Sequence, residues 1–327
     1  MLLTNKLARE AVQKYPETPS LTLAKMLYKN NPEVYKNLDA ARSRVRYVRG
    51  ALGQRSRKHA TQPREFSKDL FNPFKLPEPE LLPYPFVNLK GERFLVLSDI
   101  HMPYHDTRAL TLALQKGKQF KADHVLVNGD LLDFYQLSRF DKDPRKRSFA
   151  DELLAGEEFF KVLRREFKDS QITWKLGNHE ERYDVYMRTK APELLDVRGM
   201  EIENLMGIGK LNVRVVRDKL RIKLGKLTVI HGHEYPTPVI GPVNAARGLF
   251  LRAKTSALCG HHHQVSDHSE TDLNGKLVKT WSTGCLCQLN PHYARLNKWA
   301  HGFALVEVDN RGHFQVQNKT IFDGEVL

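Results

Sequence analysis

The spacing of apolar residues divides the chain into a short N-terminal part with helical periodicity and a longer part in which strand-like runs alternate with amphipathic stretches. The first predicted strands of the longer part are Phe94–Leu97, His124–Val127, Ile172–Leu176 and Leu227–Ile230. The predicted helices between them are Thr107–Phe120 and Phe149–Phe167. Further predicted strands are Asn212–Val216, Leu220–Leu224, Leu277–Trp281 and Phe303–Val308. This order predicts an α/β domain with two sheets packed face to face and helices outside.

Residues 1–60 are predicted to form a small all-α module with its own core. One side of its third predicted helix carries an apolar stripe at spacing i, i+4, i+7, formed by Ala41, Val45 and Val48. The same spacing one position later carries guanidinium groups, on Arg42, Arg46 and Arg49. A helix of this kind is suited to a nucleic-acid groove or to a row of phosphates. A solvated charged surface is the alternative interpretation.

Positive charge is concentrated in the N-terminal part of the chain. The whole chain has a net charge of +14, and residues 1–68 alone hold 15 Lys and Arg against 5 Asp and Glu, a net charge of +10. A polyanion such as nucleic acid is therefore the expected partner of this part. The prolines between 61 and 91 predict a semi-rigid linker, which leaves 92–327 as the large domain.

Composition also limits the compartment in which we expect the chain to work. Its apolar runs are shorter than a bilayer span, and the first residues lack the pattern of a signal peptide. The three cysteines, Cys259, Cys285 and Cys287, have neither zinc-ribbon nor CxxC spacing. We therefore expect buried thiols, a reducing compartment, a cytoplasmic location and no membrane partner.

Candidate metal ligands occur in five short segments, each of which follows an apolar run. The segments are Asp99-Ile-His101, Gly129-Asp130-Leu-Leu-Asp133, Gly177-Asn178-His179-Glu180, His231-Gly-His233 and Gly260-His261-His-His263. Ligands of open α/β sheets gather at the carboxyl ends of strands, where these segments fall. Oxygen and imidazole ligands favour Mn²⁺, Fe, Zn²⁺ or Ni²⁺ over Cu⁺. The pattern predicts a site for two divalent cations and does not choose among these four ions; manganese is the ion that we expect.

Local geometry predicts which side chains point together. In extended backbone, residues i and i+2 face the same side, so Asp99 should face the same way as His101, and His261 the same way as His263. The two carboxylate oxygens of Asp130 could bridge two cations. Asp133 is expected to orient His101 or a bound water instead of binding metal itself.

The order D-x-H, GDxxD, GNHE, H and GHxH resembles the calcineurin-like metallophosphoesterase superfamily, over residues 92–327. The resemblance implies a four-layer αββα sandwich, here preceded by a helical extension similar to that of some phage-type members, which would work in the host cytoplasm. It implies one metal bound by Asp99, His101, Asp130 and His263. It implies a second metal bound by Asp130, Asn178, His231 and His261. It also implies that His179 contacts the scissile phosphate and protonates the leaving oxygen.

The sequence narrows the substrate class. Arg182 and Arg188 follow GNHE and could bind further phosphates, although surface pairing explains them equally well. Protein Ser/Thr phosphatases of the superfamily carry GDxVDRG and an Arg before GNHE, whereas this chain has GDLLDFY and Leu176, so phosphoprotein substrates are disfavoured. Four aromatic residues near the C-terminus are expected to be core, with base stacking as the alternative: Trp281, Tyr293, Trp299 and Phe303.

These observations predict a metal-dependent phosphoesterase that acts as a phosphodiesterase or nuclease on nucleic acid or a nucleotide-derived substrate, with the basic module delivering the polymer. One alternative is a small-molecule phosphatase or phosphodiesterase with a merely solvated N-terminus. The other is an inactive phosphoesterase fold that serves as a nucleic-acid-binding protein.

Overall fold

The computed structural model describes residues 3–53, 56, 77, 83–139, 148–195, 197–235 and 243–327. The chain forms two compact units, Met1–Leu81 and Leu82–Leu327. Most of the predicted linker 61–91 lies outside the described residues.

The N-terminal unit contains the helices α1 (Leu3–Lys14), α2 (Ser20–Asn30) and α3 (Leu38–Val48). Each helix contributes an apolar stripe to one small core, whose buried members are Ala8, Leu23, Ala24, Leu27, Tyr35, Ala41 and Val45. Asn37 caps α3, since its side-chain oxygen accepts a hydrogen bond from Ala40 N at 2.8 Å. The helical interpretation of this segment is therefore confirmed.

The strands of the larger unit form two sheets. The strands of the first sheet are β2 (Arg93–Leu97), β3 (His124–Asn128), β4 (Gln171–Lys175), β5 (Val213–Val216), β11 (His301–Val308), β12 (Phe314–Phe322) and β13 (Glu325–Val326). Their order across the sheet is β13-β12-β11-β2-β3-β4-β5. The strands of the second sheet are β1 (Phe86–Leu89), β6 (Arg221–Leu224), β7 (Leu227–Val229), β8 (Ala257–Cys259), β9 (Val265–Thr271) and β10 (Leu277–Thr283). Their order is β1-β6-β7-β8-β10-β9.

Helices cover the outer faces of the sheets. The described helices of this unit are α4 (Thr107–Gln119), α5 (Phe149–Glu166), α6 (Glu181–Lys190), α7 (Ile202–Leu205) and α8 (Ala245–Ala253). Short 3₁₀ turns lie at Tyr135–Leu137, Pro192–Leu194 and Ile208–Leu211. A reciprocal capping box between Ser148 and Asp151 starts α5.

Strand β2 shows how the layers are built. Phe94 and Val96 pack against the second sheet, in a core that includes Ile222. Leu95 and Leu97 point the other way, into the core formed with α4 and α5. Strands covered on both faces read as continuous apolar runs, which explains why the sequence pattern finds them. On the far side, α8 packs on the second sheet through Leu249. The predicted αββα sandwich is confirmed.

Edge strands were missed by the sequence analysis. β1 lies within the predicted linker, where it pairs with β6 in parallel register from Phe86↔Arg221 to Leu89↔Leu224. The larger unit thus begins at Leu82 and not at 92. The edge strand β9 and the strand β12 carry mostly polar or part-exposed residues. Such strands lack the apolar signal of covered ones, so periodicity does not reveal them. Among the described residues, no helix combines the length and apolar character that a membrane crossing requires.

Candidate metal centre

The five predicted segments meet because of strand direction. β2, β3 and β4 are parallel neighbours, so their carboxyl ends open on one edge of the first sheet. β7 and β8 are parallel neighbours in the second sheet. Each predicted segment follows one of these five strand ends, and Asp99, Asp130 and His231 are almost completely buried there.

The ligand loops have left-handed backbone where extended backbone was expected. The residues with positive φ include Asp99 (55°), His101 (51°), Asp130 (51°), His261 (67°) and His263 (55°). The i, i+2 argument for these pairs is therefore wrong, although the side chains do converge. Non-glycine residues rarely adopt this conformation, and such strain concentrates at functional sites.

The first predicted ligand set forms one continuous cluster. His263 Nε2 lies 3.1 Å from Asp99 Oδ1 and 3.2 Å from His101 Nε2. His101 Nε2 in turn lies 3.9 Å from Asp130 Oδ2. Two imidazole nitrogens that face each other at this distance repel unless a proton or a cation lies between them.

The second predicted set meets the first at Asp130. Asp130 Oδ2 lies 3.3 Å from His231 Nε2, which is also 3.3 Å from Asn178 Oδ1. The rings of His231 and His261 are 5.2 Å apart between centroids. Candidate ligand atoms of Asp130, His231 and His261 all lie within 4.8 Å of one another. The carboxylate of Asp130 is thus shared by both sets.

Hydrogen bonds on the far side of the imidazoles direct their Nε2 atoms inward. His231 Nδ1–H donates to Asn128 O at 2.8 Å, and His101 Nδ1–H donates to Asp133 Oδ1 at 3.1 Å. The expected orienting contact of Asp133 is therefore present. A ligating histidine typically has its second nitrogen held in this way, with Nε2 left as an electron-pair donor.

Charge also favours a cation in this cluster. Burial disfavours the imidazolium of His231, but the Asp130 carboxylate outweighs burial and raises the pKa of His231 to about 10. Asp99 acts likewise on His263, whose pKa rises to about 10. Asp99 Oδ1 is buried and lies 3.1 Å from His263 Nε2. Buried carboxylate oxygens, an amide oxygen and imidazole nitrogens together fit a divalent cation.

Two buried glutamates, to which the sequence analysis assigned no role, fix the loops that carry the candidate ligands. Glu180 accepts hydrogen bonds from the backbone N–H groups of Asp130, Leu132 and Gly177, at 2.7 to 3.0 Å. Glu234 accepts from the N–H groups of His231 and Gly232, at 2.9 and 2.6 Å. Both follow a histidine in a ligand segment, and this repeated His-Glu dipeptide is the sequence signal that could have found them.

Glycines bring the loops into contact. Gly129 has φ +87°, and a Cβ on it would overlap the His231 ring. A Cβ on Gly177 would overlap the Asp130 carboxylate. Only glycine allows these backbones to approach the candidate ligands so closely.

His179 and Arg182 lie beside the shared carboxylate. His179 Nε2 is 3.9 Å from Asp130 Oδ2 and accepts a hydrogen bond from Arg182 Nη2 at 2.9 Å. Both side chains also donate to Asp133 O, from His179 Nδ1 at 2.7 Å and from Arg182 Nη1 at 2.8 Å. Asp130 and Asp133 outweigh burial and raise the pKa of His179.

Arg188 and His233, two residues named in the sequence analysis, both lie near acidic side chains of α6. Arg188 is exposed on α6, where its positive charge interacts with the carboxyl group of Asp184. Asp184 is not one of the candidate ligands. His233 Nε2 lies 2.8 Å from Glu181 Oε1, which is also on α6.

The C-terminal aromatic residues fall into two groups. Trp281 and Phe303 are core residues, as expected, whereas Tyr293 is 75% exposed, so the core prediction is wrong for Tyr293. Trp299 instead packs on the candidate ligand His263, with ring centroids 4.2 Å apart. Cys287 Sγ lies 3.9 Å from His263 Nδ1, so this thiol also borders the site. All three cysteines are free and buried.

The predicted cationic stripe of the N-terminal unit is divided. Arg42 and Arg46 are exposed on α3. Arg49 is half-buried and donates to Ser20 Oγ at 3.0 Å, to Pro16 O at 2.9 Å and to Thr18 O at 2.6 Å. Its guanidinium is therefore used to hold the α1–α2 connection, because the chain reverses there and leaves carbonyl groups without partners.

Comparison with known proteins identifies the larger unit. The family described as calcineurin-like phosphoesterase matches residues 92–284. The chain belongs to this family. The calcineurin-like phosphoesterases are metal-dependent, which agrees with the donor set described above.

Individual relatives were also found. The Gene 54 protein of Mycobacterium phage L5 is 28% identical over 234 residues, which cover 68% of this chain and 91% of the relative. The Gene 54 protein of Mycobacterium phage D29 is 26% identical over 231 residues, covering 67% and 90%. Among solved structures, a Vps29 mutant from Entamoeba histolytica is 16% identical, covers 72% of this chain and 96% of its own, and has a TM-score of 0.39.

Proposed function

We propose that this calcineurin-like phosphoesterase hydrolyses phosphodiesters of nucleic acids or nucleotide-derived substrates at a centre of two divalent cations. The observation that carries the proposal is the meeting of two ligand clusters at the buried Asp130, with His179 and Arg182 beside them. Asp99, His101 and His263 would complete one cation site, and Asn178, His231 and His261 the other. Manganese is the proposed ion.

The chemistry divides between metal and protein. Bound divalent cations lower the pKa of water and neutralise charge on a phosphoryl group. Arg182 donates a hydrogen bond to a non-bridging phosphoryl oxygen, in exchange for its present bond to His179. The freed His179 Nε2 takes up a proton from solvent, which the raised pKa of this ring favours, and gives that proton to the leaving oxygen, while the backbone oxygen of Asp133 holds Nδ1–H on the opposite side of the ring.

The exposed arginines of the N-terminal unit support the proposal that the substrate is a polymer. Its α3 helix presents Arg42 and Arg46 to solvent while Ala41 and Val45 pack inward. We propose that this surface binds phosphates of a nucleic acid and raises its local concentration at the catalytic unit. Arg49 serves this surface indirectly, because it fixes the helices that carry the other two guanidinium groups.

An activity panel tests the proposal. Purified protein is supplied with Mn²⁺, Fe²⁺, Zn²⁺ or Ni²⁺ and incubated with bis-p-nitrophenyl phosphate, p-nitrophenyl phosphate, and single- and double-stranded DNA and RNA. We expect metal-dependent cleavage of the diester and of at least one polymer, and no cleavage by Asp130→Ala. Cleavage of the small diester alone would remove the nuclease part of the proposal. Inactivity of the metal-loaded protein on every substrate would remove the hydrolase part.

A further inference from the structure

The loop formed by residues 288–300, here called the aromatic loop, is attached directly to the candidate metal centre. Ala300 N donates to the backbone oxygen of the ligand His263 at 2.8 Å, and Gln288 N donates to Tyr104 O at 2.9 Å. Within the loop, Asn297 Nδ2 donates to Leu289 O and Ala294 O at 2.5 and 2.6 Å. The loop is therefore an ordered wall of the site, closed by its own hydrogen bonds.

Two aromatic rings lead from the metal centre to solvent along this wall. Trp299 packs edge to face on His263 at 4.2 Å between centroids. Tyr293 packs on Trp299 at 6.3 Å, yet it remains 75% exposed. Its hydroxyl is within electrostatic range of Asp133 and Arg182, the residues that contact His179.

The charge of the loop suits an anionic substrate. His292, Arg295 and Lys298 are exposed, and residues 285–300 contain no Asp or Glu. An exposed aromatic face bordered by cations is the combination by which proteins bind single-stranded nucleic acid, since every nucleobase has a face that can stack. In a nucleotide, one sugar joins the nucleobase to the phosphate. When the phosphate lies at the metal centre, the base is therefore close enough to contact an aromatic side chain of this wall.

We propose that Tyr293, supported by Trp299, stacks on the nucleobase adjacent to the scissile phosphate and selects nucleotide phosphodiesters over simple alkyl ones. This inference rests on the proposed hydrolytic function and specifies its substrate class. It assigns Tyr293 to substrate binding only, because the ring contacts the base and not the reacting atoms.

A pair of substrates isolates this contact. Thymidine 5′-(p-nitrophenyl phosphate) and methyl p-nitrophenyl phosphate share a charge and a leaving group, and they differ in the presence of the nucleoside. We expect Tyr293→Ala to lower kcat/KM for the thymidine ester about tenfold, mainly through KM. The methyl ester should change by less than about twofold, because it makes no stacking contact. Tyr293→Phe, which keeps the ring, should behave as wild type, as should the fully exposed neighbour variant Leu296→Ala.

Equal loss on both esters, or no loss on either, would overturn the stacking assignment. If wild-type protein hydrolysed neither ester with any of the four metals, the proposed function would fail instead. Calorimetric binding of thymidine 5′-monophosphate and methyl phosphate then tests the subsite without turnover. We expect wild type to bind the nucleotide about tenfold more tightly, and Tyr293→Ala to bind both ligands equally. Equal binding of both ligands by wild type would refute the inference.

Discussion

Lys175 and Glu234 form a buried ion pair behind the candidate ligand His231, and breaking it tests how the ligand loop is held. Lys175 Nζ lies 2.9 Å from Glu234 Oε1, and the two side chains are 0% and 6% exposed. The pair joins the end of β4 in the first sheet to the loop after β7 in the second. Lys175 Nζ also donates to Leu220 O at 2.9 Å. Because Lys175 is fully buried, water cannot replace Glu234 as the partner of the ammonium group.

The expected magnitude follows from this burial. Glu234→Gln leaves the Lys175 charge without its counterion in the protein interior, which typically costs about 3–5 kcal/mol of unfolding free energy. It also weakens the acceptors of the His231 and Gly232 N–H groups. Because partners that orient metal ligands contribute to affinity, metal binding should weaken by about 10- to 100-fold.

The double variant Lys175→Met/Glu234→Gln separates the two effects. Removing both charges should restore most of the stability, since no charge is left unpaired. Metal affinity should stay low, because the carboxylate that holds the His231 loop is still absent. Urea unfolding can be followed by tryptophan fluorescence, since Trp174, Trp281 and Trp299 all lie in the larger unit.

Calorimetric metal titration gives the affinity of each variant. Lys161→Ala, which removes two surface ion pairs on α5, serves as the control and should leave both properties nearly unchanged. A single variant within about 1 kcal/mol of wild type would refute the reasoning. A double variant as unstable as the single one would do the same.

Three further predictions follow. His179→Ala should keep its metal but lose about 10²–10⁴-fold in kcat on a diester with an alkyl leaving group. The loss should be smaller on a p-nitrophenyl ester, because that leaving group departs without a proton, and equal losses on the two esters would exclude the acid role of His179. Arg42→Ala/Arg46→Ala should weaken DNA binding and reduce its log–log salt slope by roughly 2, measured by fluorescence anisotropy, whereas an unchanged slope would exclude α3 as the contact. Burial and the Asp133 charge raise the pKa of the Glu152 carboxyl from 4.5 to about 7. The folded state therefore holds this proton more tightly than the unfolded state does, and the stability that the proton contributes is complete below pH 4.5 and lost as the pH rises through 7. The unfolding free energy of Glu152→Gln, measured in urea, should therefore rise by about 3 kcal/mol relative to that of wild type between pH 4.5 and 8. If the difference between the two proteins were the same at both pH values, the pKa shift would be contradicted.

The sequence was sufficient to predict which loops would converge. Parallel strands covered on both faces read as apolar runs, and the polar residues that follow them at Asp99, Asp130 and Asn178 must share one edge of a sheet. That argument needs no tertiary contact, only strand direction and order.

The backbone conformation of the candidate ligands could not be predicted in the same way. Asp99 and His263 approach the centre through left-handed backbone, which depends on contacts between loops that are distant in sequence. Arg49 reads as part of an exposed stripe, but the carbonyl groups of the α1–α2 connection take up its guanidinium. In both cases the sequence periodicity describes a single helix or strand. The conformation or hydrogen bonding of the residue depends instead on another part of the chain that packs against it.

Metal stoichiometry tests the central claim most directly, namely that two ligand clusters share Asp130. Purified protein is saturated with Mn²⁺, freed of unbound ion on a desalting column, and analysed for bound metal per chain by mass spectrometry. We expect two ions per wild-type chain and fewer than two in Asp130→Ala, because the shared carboxylate has no substitute nearby. A wild-type chain that retains at most one ion, or an Asp130→Ala chain that retains two with unchanged affinity, would contradict the account.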